Sequence, residues 1–176
     1  SIEHHQAATD LSPQELARAA SLRTEIVRHG ISKYEVGERV PLALPREAEG
    51  KRVVLVVGQV EDDASIELGC RSIRTNAGLL EAARAATPGS FLVYKPHPDV
   101  LSGNRRGAVA PAQLARHADL VVGTTTIGEC LAVADELHTL TSLVGFEALL
   151  RERPVHVYGQ PFYSGWGLTH DTHPHP

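Results

Sequence analysis

The sequence predicts an α/β fold in which a parallel sheet carries helices on both faces. Short apolar runs alternate with amphipathic helical segments from about residue 51 onward. The first run, Val53-Val54-Leu55-Val56-Val57, has no polar alternation, as expected of a strand buried on both sides. Glycine or proline closes the first three runs sharply. Strand–helix alternation of this kind builds parallel sheets with crossover helices.

Residues 1–50 read as an N-terminal helix and a connecting segment, and 51–176 as a Rossmann-like domain. Ser1 to Asp10 is polar and irregular. Ser12-Pro13-Gln14-Glu15 combines a capping box with proline at the first helical position. Leu16, Ala19, Ala20, Ile26 and Val27 mark one face of the helix that follows, and Gly30 ends it. Gly37, Pro41 and Pro45 break the stretch from Ile31 to Gly50. After the first strand, Thr75 or Asn76 caps a helix running through Ala86, with Leu79, Leu80, Ala83 and Ala86 inward. Phe91 to Tyr94 is a second strand, stopped by Pro96 and Pro98. A short helix spans Pro111 to His117, and Leu120 to Val122 is a third strand before Gly123. Glu136 to Leu140 is a fourth strand, with a helix from Leu143 to Arg151 after it. Val155 to Tyr158 is the fifth, leading into a loop rich in glycine and aromatics.

With 176 residues, 42% hydrophobic and 22% charged, the chain is long enough to bury one core. A net charge of -4 lacks the basic stripe that nucleic acid demands. Two cysteines, Cys70 and Cys130, are too few for a disulfide framework and read as buried thiols in a reducing cytoplasm. No apolar run approaches the roughly 18 residues of a membrane span. Several of the ten histidines crowd the termini (His4, His5, His170, His173 and His175), and neither HExxH nor CxxC occurs, so no metal site is expected.

Ligands of open parallel sheets bind beyond the carboxyl ends of the strands. Four polar groups fall there by sequence: Gln59 to Asp63, Lys95 to Asp99, Asp135 to Ser142, and Gly159 to Gly167. Thr141 and Ser142 precede a helix whose N-terminus attracts anions, and Gly145 allows close approach. Lys95 and His97 add donors, completing a cradle for one phosphate. Neither a Walker loop nor a GxGxxG fingerprint is present, which weighs against an ATPase or a UDP-sugar epimerase. Glu61, Asp62 and Asp135 supply carboxylates, and retention in sugar transfer can use two of them, in roles that spacing leaves open. Each feature has a structural alternative. Glu61 to Asp63 also suits a solvated helix start, Lys-Pro-His-Pro a rigid turn, His138 a bonded core histidine, and Tyr163 and Trp166 packing.

The stretches GQVEDDASI (Gly58–Ile66), YKPHPDV (Tyr94–Val100), DELHTLTSLVGFEALLR (Asp135–Arg151) and YGQPFYSGWGLT (Tyr158–Thr169) resemble the capsular polysaccharide retaining β-Kdo transferases. GISKYEVG (Gly30–Gly37) fits as well, so the likeness covers most of the chain from Gly30 onward. It implies one half of a GT-B glycosyltransferase that uses CMP-β-Kdo, with no further cofactor, and builds the Kdo linker on phosphatidylglycerol or lipid-linked Kdo. It implies a nucleotide- and phosphate-binding set of Gln59, Lys95, His97, Thr141, Ser142 and Glu147. It further implies Glu61 as acid/base with Asp62 as second candidate, Asp135 as nucleophile, and His138 positioning the sugar carboxylate or phosphate. The chain's length implies a fragment lacking its second Rossmann-like half, cytoplasmic and peripheral to the inner membrane in the full enzyme. The competing expectation is a non-catalytic nucleotide- or polysaccharide-binding module in capsule assembly or export.

Overall fold

A computed structural model describes residues 10–33 and 39–173. Residues 34–38 of the GISKYEVG stretch, and His4, His5 and His175, lie outside the described residues. The sheet has six parallel strands: β1 (Val53–Val57), β2 (Phe91–Lys95), β3 (Leu120–Val121), β4 (Glu136–Thr139), β5 (Val155–Val157) and β6 (His170–Asp171). Their spatial order is β3-β2-β1-β4-β5-β6. The chain therefore starts in the middle, builds outward on one side, then returns to β1 and builds on the other. That reversal opens a crevice between the carboxyl ends of β1 and β4.

Alternate residues of the central strands feed two cores. Val53, Leu55 and Val57 of β1 pack with α6 (Ile127–Val133) and α7 (Leu143–Leu150) on one face. Val54 and Val56 pack with α2 (Ala64–Gly69) and α3 (Asn76–Ala86) on the other. The helices thus cover both faces, as the alternation predicts. Leu42, Leu44 and Ala48 also pack on the first core, which carries the body of the domain ahead of residue 51.

Helix α1 (Pro13–Arg28) has its predicted capping box, with Ser12 Oγ accepting from the Glu15 N–H and the Glu15 carboxylate accepting from the Ser12 N–H. Gly30, at φ 62°, closes it in the left-handed region. None of its residues is fully buried; Ile26 is half-buried, and Arg23 pairs with Glu152 at 3.1 Å. The segments α4 (Pro98–Leu101) and α5 (Pro111–His117) complete the helices. The structure adds α2, α4, α6 and β6 to the elements read from sequence. Of these α6 had a signal, because Thr126-Ile127-Gly128-Glu129 has the spacing of a capping box and Thr126 does cap it. Ala86 is exposed rather than inward, since α3 leaves the sheet surface in its last turn. No helix among the described residues is long and apolar enough to cross a membrane.

Candidate functional site

The crevice at the strand reversal holds a cavity of about 510 Å³. All six residues of the predicted nucleotide- and phosphate-binding set line it: Gln59, Lys95, His97, Thr141, Ser142 and Glu147. Gln59 follows β1, Lys95 ends β2 with His97 just beyond, and Thr141 and Ser142 follow β4. These five are placed by the end of a strand, which is why strand order located them; Glu147, inside α7, was implied only by the resemblance.

A buried amide organises the floor. Asn76, fully buried at the start of α3, accepts from the Gln59 N–H (2.9 Å) and donates to the Gln59 and Gly107 carbonyls (2.8 Å each). The Gln59 side chain then spans the crevice, donating to Thr141 Oγ1 (3.0 Å) and accepting from the Thr141 N–H (2.8 Å). One residue therefore fixes the β1 loop and the β4 loop to each other. Gly58 is required here, because a Cβ would meet the Tyr94 hydroxyl and the Pro96 backbone.

Lys95 is 7% exposed and donates to the Gly123 carbonyl (3.2 Å), and burial lowers its pKa. His97 Nδ1 accepts from the Asp99 N–H (3.2 Å), so in the neutral ring the proton sits on Nε2. Burial lowers the His97 pKa, partly opposed by Asp99. Ser142 caps α7 through the Val144 N–H (3.2 Å), and its carbonyl accepts from the Tyr163 hydroxyl. Gly145 serves that contact: a Cβ there would collide with the Tyr163 ring. Its role is to admit Tyr163, not to bring the helix nearer to a phosphate. Glu147 is 6% exposed; one oxygen accepts from Ser32 Oγ and the Lys33 N–H (3.1 Å each). Its other oxygen is buried with no hydrogen-bond partner among the described residues.

None of the four predicted catalytic residues lines this cavity. Asp135 is at the opposite edge of the sheet. It precedes β4, and its carboxylate accepts from the N–H of Val53, the first residue of β1 (2.7 Å). Four residues of strand separate it from the carboxyl rim, roughly 13 Å at 3.3 Å each. A nucleophile in this cavity it is not. Glu61 accepts from the Asn76 N–H (2.7 Å) and so caps α3, while Asp62 pairs at the surface with Arg105 (3.2 Å). The acidic residues that do line the cavity are Asp63, Asp99 and Glu147.

His138 is a core histidine. It is fully buried within β4, with Nδ1 against the Tyr158 hydroxyl (3.0 Å) and Nε2 against Glu136 (3.2 Å). Burial, reinforced by His156, pushes its pKa down to about 4. Glu136 is held in turn by Arg52 at 2.6 Å. Glu136, His138 and His156 are the one group among the described residues with metal-ligand atoms close together, within 4.8 Å of one another. The His138 and His156 rings stack at 4.4 Å on adjacent strands. Two nitrogens on one tetrahedral ion stand roughly 3.3 Å apart. With Arg52 already on the carboxylate, the cluster is an Arg52–Glu136 ion pair to which the buried, neutral His138 hydrogen-bonds.

The model of the family described as capsule polysaccharide biosynthesis protein matches residues 4–176. The chain belongs to that family. Among curated relatives it is 48% identical to the capsule polysaccharide modification protein LipA of Neisseria meningitidis serogroup B, over 93% of this chain and 23% of LipA. It is 45% identical to the lipopolysaccharide-processing protein LpsZ of Rhizobium meliloti, over 92% of this chain and 36% of LpsZ. Two solved chains of Thermosulfurimonas dismutans KpsC superpose on it with a TM-score of 0.80 each. The β-Kdo 2,7 transferase is 37% identical and the β-Kdo 2,4 transferase 30%. The chain spans 52% and 51% of their lengths, and a smaller share of the curated family members.

Sequence reasoning missed Asn76 as an organiser, and Ser32 and Lys33 as part of the wall, while Phe162 of the predicted Gly159–Gly167 group does line it. An asparagine in the first turn of a helix, next to the first strand's loop, was the available sign for Asn76. Nothing local marks Ser32, whose partner Glu147 is 115 residues away.

Proposed function

We propose that the chain is the donor-binding half of a retaining β-Kdo transferase that takes Kdo from CMP-β-Kdo and delivers it to a lipid-linked acceptor of the capsule linker. The observation that carries this reading is the pairing of two unlike ends in one cavity. Lys95, His97 and the N-terminus of α7 form a cationic, donor-rich end. Glu147 presents a buried carboxylate oxygen with no partner among the described residues. A vicinal diol fills such an acceptor, so a ribose at Glu147 and a phosphate at the other end describe a nucleotide. Departure of CMP from the anomeric carbon leaves charge on the phosphate, which Lys95 and the His97 Nε2–H would stabilise.

Glu61, Asp62 and Asp135 do not line the cavity, and Asp63, Asp99 and Glu147 are engaged with the backbone or side chains around them, so the acid/base and nucleophile would come from a second half. The KpsC chains, about twice as long, leave room for one. The same observation favours a second reading, a nucleotide-binding module without chemistry of its own.

Calorimetric titration with CMP, against UDP and AMP, tests the proposal. Selective CMP binding, lost in Lys95→Ala/His97→Ala, is expected. A folded chain that binds no nucleotide, or binds all three alike, overturns it. Adding the remaining half of a KpsC-like module separates the readings, since turnover of CMP-Kdo favours the transferase and binding alone the module.

A further inference from the structure

Along the carboxyl rim the cavity meets the ends of β2, β1, β4 and β5 in that spatial order. Lys95 and His97 stand at the β2 end, Thr141 and Ser142 follow β4, and Phe162 lies in the loop after β5. The N-terminus of α7 is therefore flanked by Lys95 and His97 on one side and by an aromatic ring on the other. Phe162 is 49% exposed, yet its position is fixed from behind. Tyr163 meets its ring edge-on with centroids 5.3 Å apart, and Phe146 packs against it at 5.4 Å. Trp166 Nε1 donates to the Phe162 carbonyl (2.9 Å), and the Gly165 N–H donates to Asp171 (2.9 Å). Tyr163 ties the same loop to α7 through the Ser142 carbonyl.

A single exposed aromatic side chain needs no explanation, but a ring held in place at the rim of a polar cavity offers a flat apolar face to whatever enters. Sugar rings carry hydroxyls around their edge and C–H groups on their faces, so they lie flat against such a ring. Phe146 and Glu147 are successive on α7 and point about 100° apart, which sets Phe162 and the Glu147 carboxylate on different flanks of the helix. A phosphate at the N-terminus of α7 then has the ribose on the Glu147 flank and its other substituent on the Phe162 flank. We propose that Phe162 is the stacking platform for the sugar ring carried by the donor, and so helps the cavity to distinguish the nucleotide sugar from the free nucleotide. The inference rests on the donor reading of this cavity.

Calorimetry with CMP and with CMP-β-Kdo, on the wild type and on Phe162→Ala, Phe162→Leu and Phe162→Tyr, tests it. The wild type is expected to bind CMP-β-Kdo more tightly than CMP. Phe162→Ala and Phe162→Leu should each weaken CMP-β-Kdo about five-fold and leave CMP unchanged, whereas Phe162→Tyr keeps both affinities. Leucine retains apolar bulk without the ring, so the Leu–Tyr comparison decides the matter even if the alanine variant loses thermal stability. The inference is overturned if the wild type binds CMP-β-Kdo no more tightly than CMP, or if Phe162→Leu binds it as the wild type does. It is also overturned if the loss falls equally on CMP, since the ring would then serve the base or ribose. In each of these results CMP still binds and the donor reading stands; a folded wild type that binds neither ligand removes both.

Discussion

Acidification should weaken the fold through His138. Its ring is fully buried, and burial lowers its pKa from 6.5 to about 4. The unfolded chain therefore binds the proton more readily than the folded one between those values. The stabilising contribution is complete above about pH 6.5 and is lost as the pH falls toward 4. A shift of about 2.5 units corresponds to about 3 kcal/mol, of which about 2 kcal/mol is gone by about pH 5. His156, also lowered by burial, acts in the same direction, so the measurement must be a difference. Urea denaturation of the wild type and of His138→Gln at about pH 7 and pH 5 isolates it. Glutamine offers both a donor and an acceptor toward Tyr158 and Glu136 but does not titrate. The wild type should lose about 2 kcal/mol more than the variant over that interval. Equal losses would refute the assignment of His138 as a neutral core residue.

Three further outcomes follow from the site. Asn76→Ala leaves the Gln59 N–H and two carbonyls unmet, and should cost about 2–4 kcal/mol by urea denaturation, with weaker CMP binding in calorimetry. Gly145→Ala forces α7 away from Tyr163 and should lower stability by about 1–3 kcal/mol, read as a reduced thermal midpoint. Glu147→Gln keeps the shape that meets Ser32 but removes the carboxylate charge; CMP affinity should fall about ten-fold, roughly 1.4 kcal/mol, with thermal stability near that of the wild type.

Local signals were sufficient for most of the framework. Val53–Val57 reads as a doubly buried strand because both of its faces meet apolar helices. The capping box at Ser12 and the N-cap bond at Thr126 are i, i+3 interactions and stand in the sequence itself. Short helices such as α2 and α4 lack that independence. Six and four residues do not sustain a helix without tertiary support, so their sequences carry little periodic signal.

Gln59, Lys95, His97, Thr141 and Ser142 were legible because a parallel sheet sends every strand's carboxyl end to the same rim, whereas Glu147, inside α7, came only from the resemblance. A residue that follows a strand inherits that position from chain direction alone. The sequence reading counted Asp135 to Ser142 at that rim, but Asp135 comes before β4 and so falls at the opposite end of the strand. Tertiary structure alone decided the rest. The Gln59–Thr141 bridge joins residues 82 apart, and Glu147 finds Ser32 across 115. Which face His138 turns to, and whether Glu61 meets a substrate or the end of α3, depends on the partner brought alongside. Chain direction and local hydrogen bonding are written residue by residue; the identity of a neighbour across the fold is set only when the sheet closes and the helices dock.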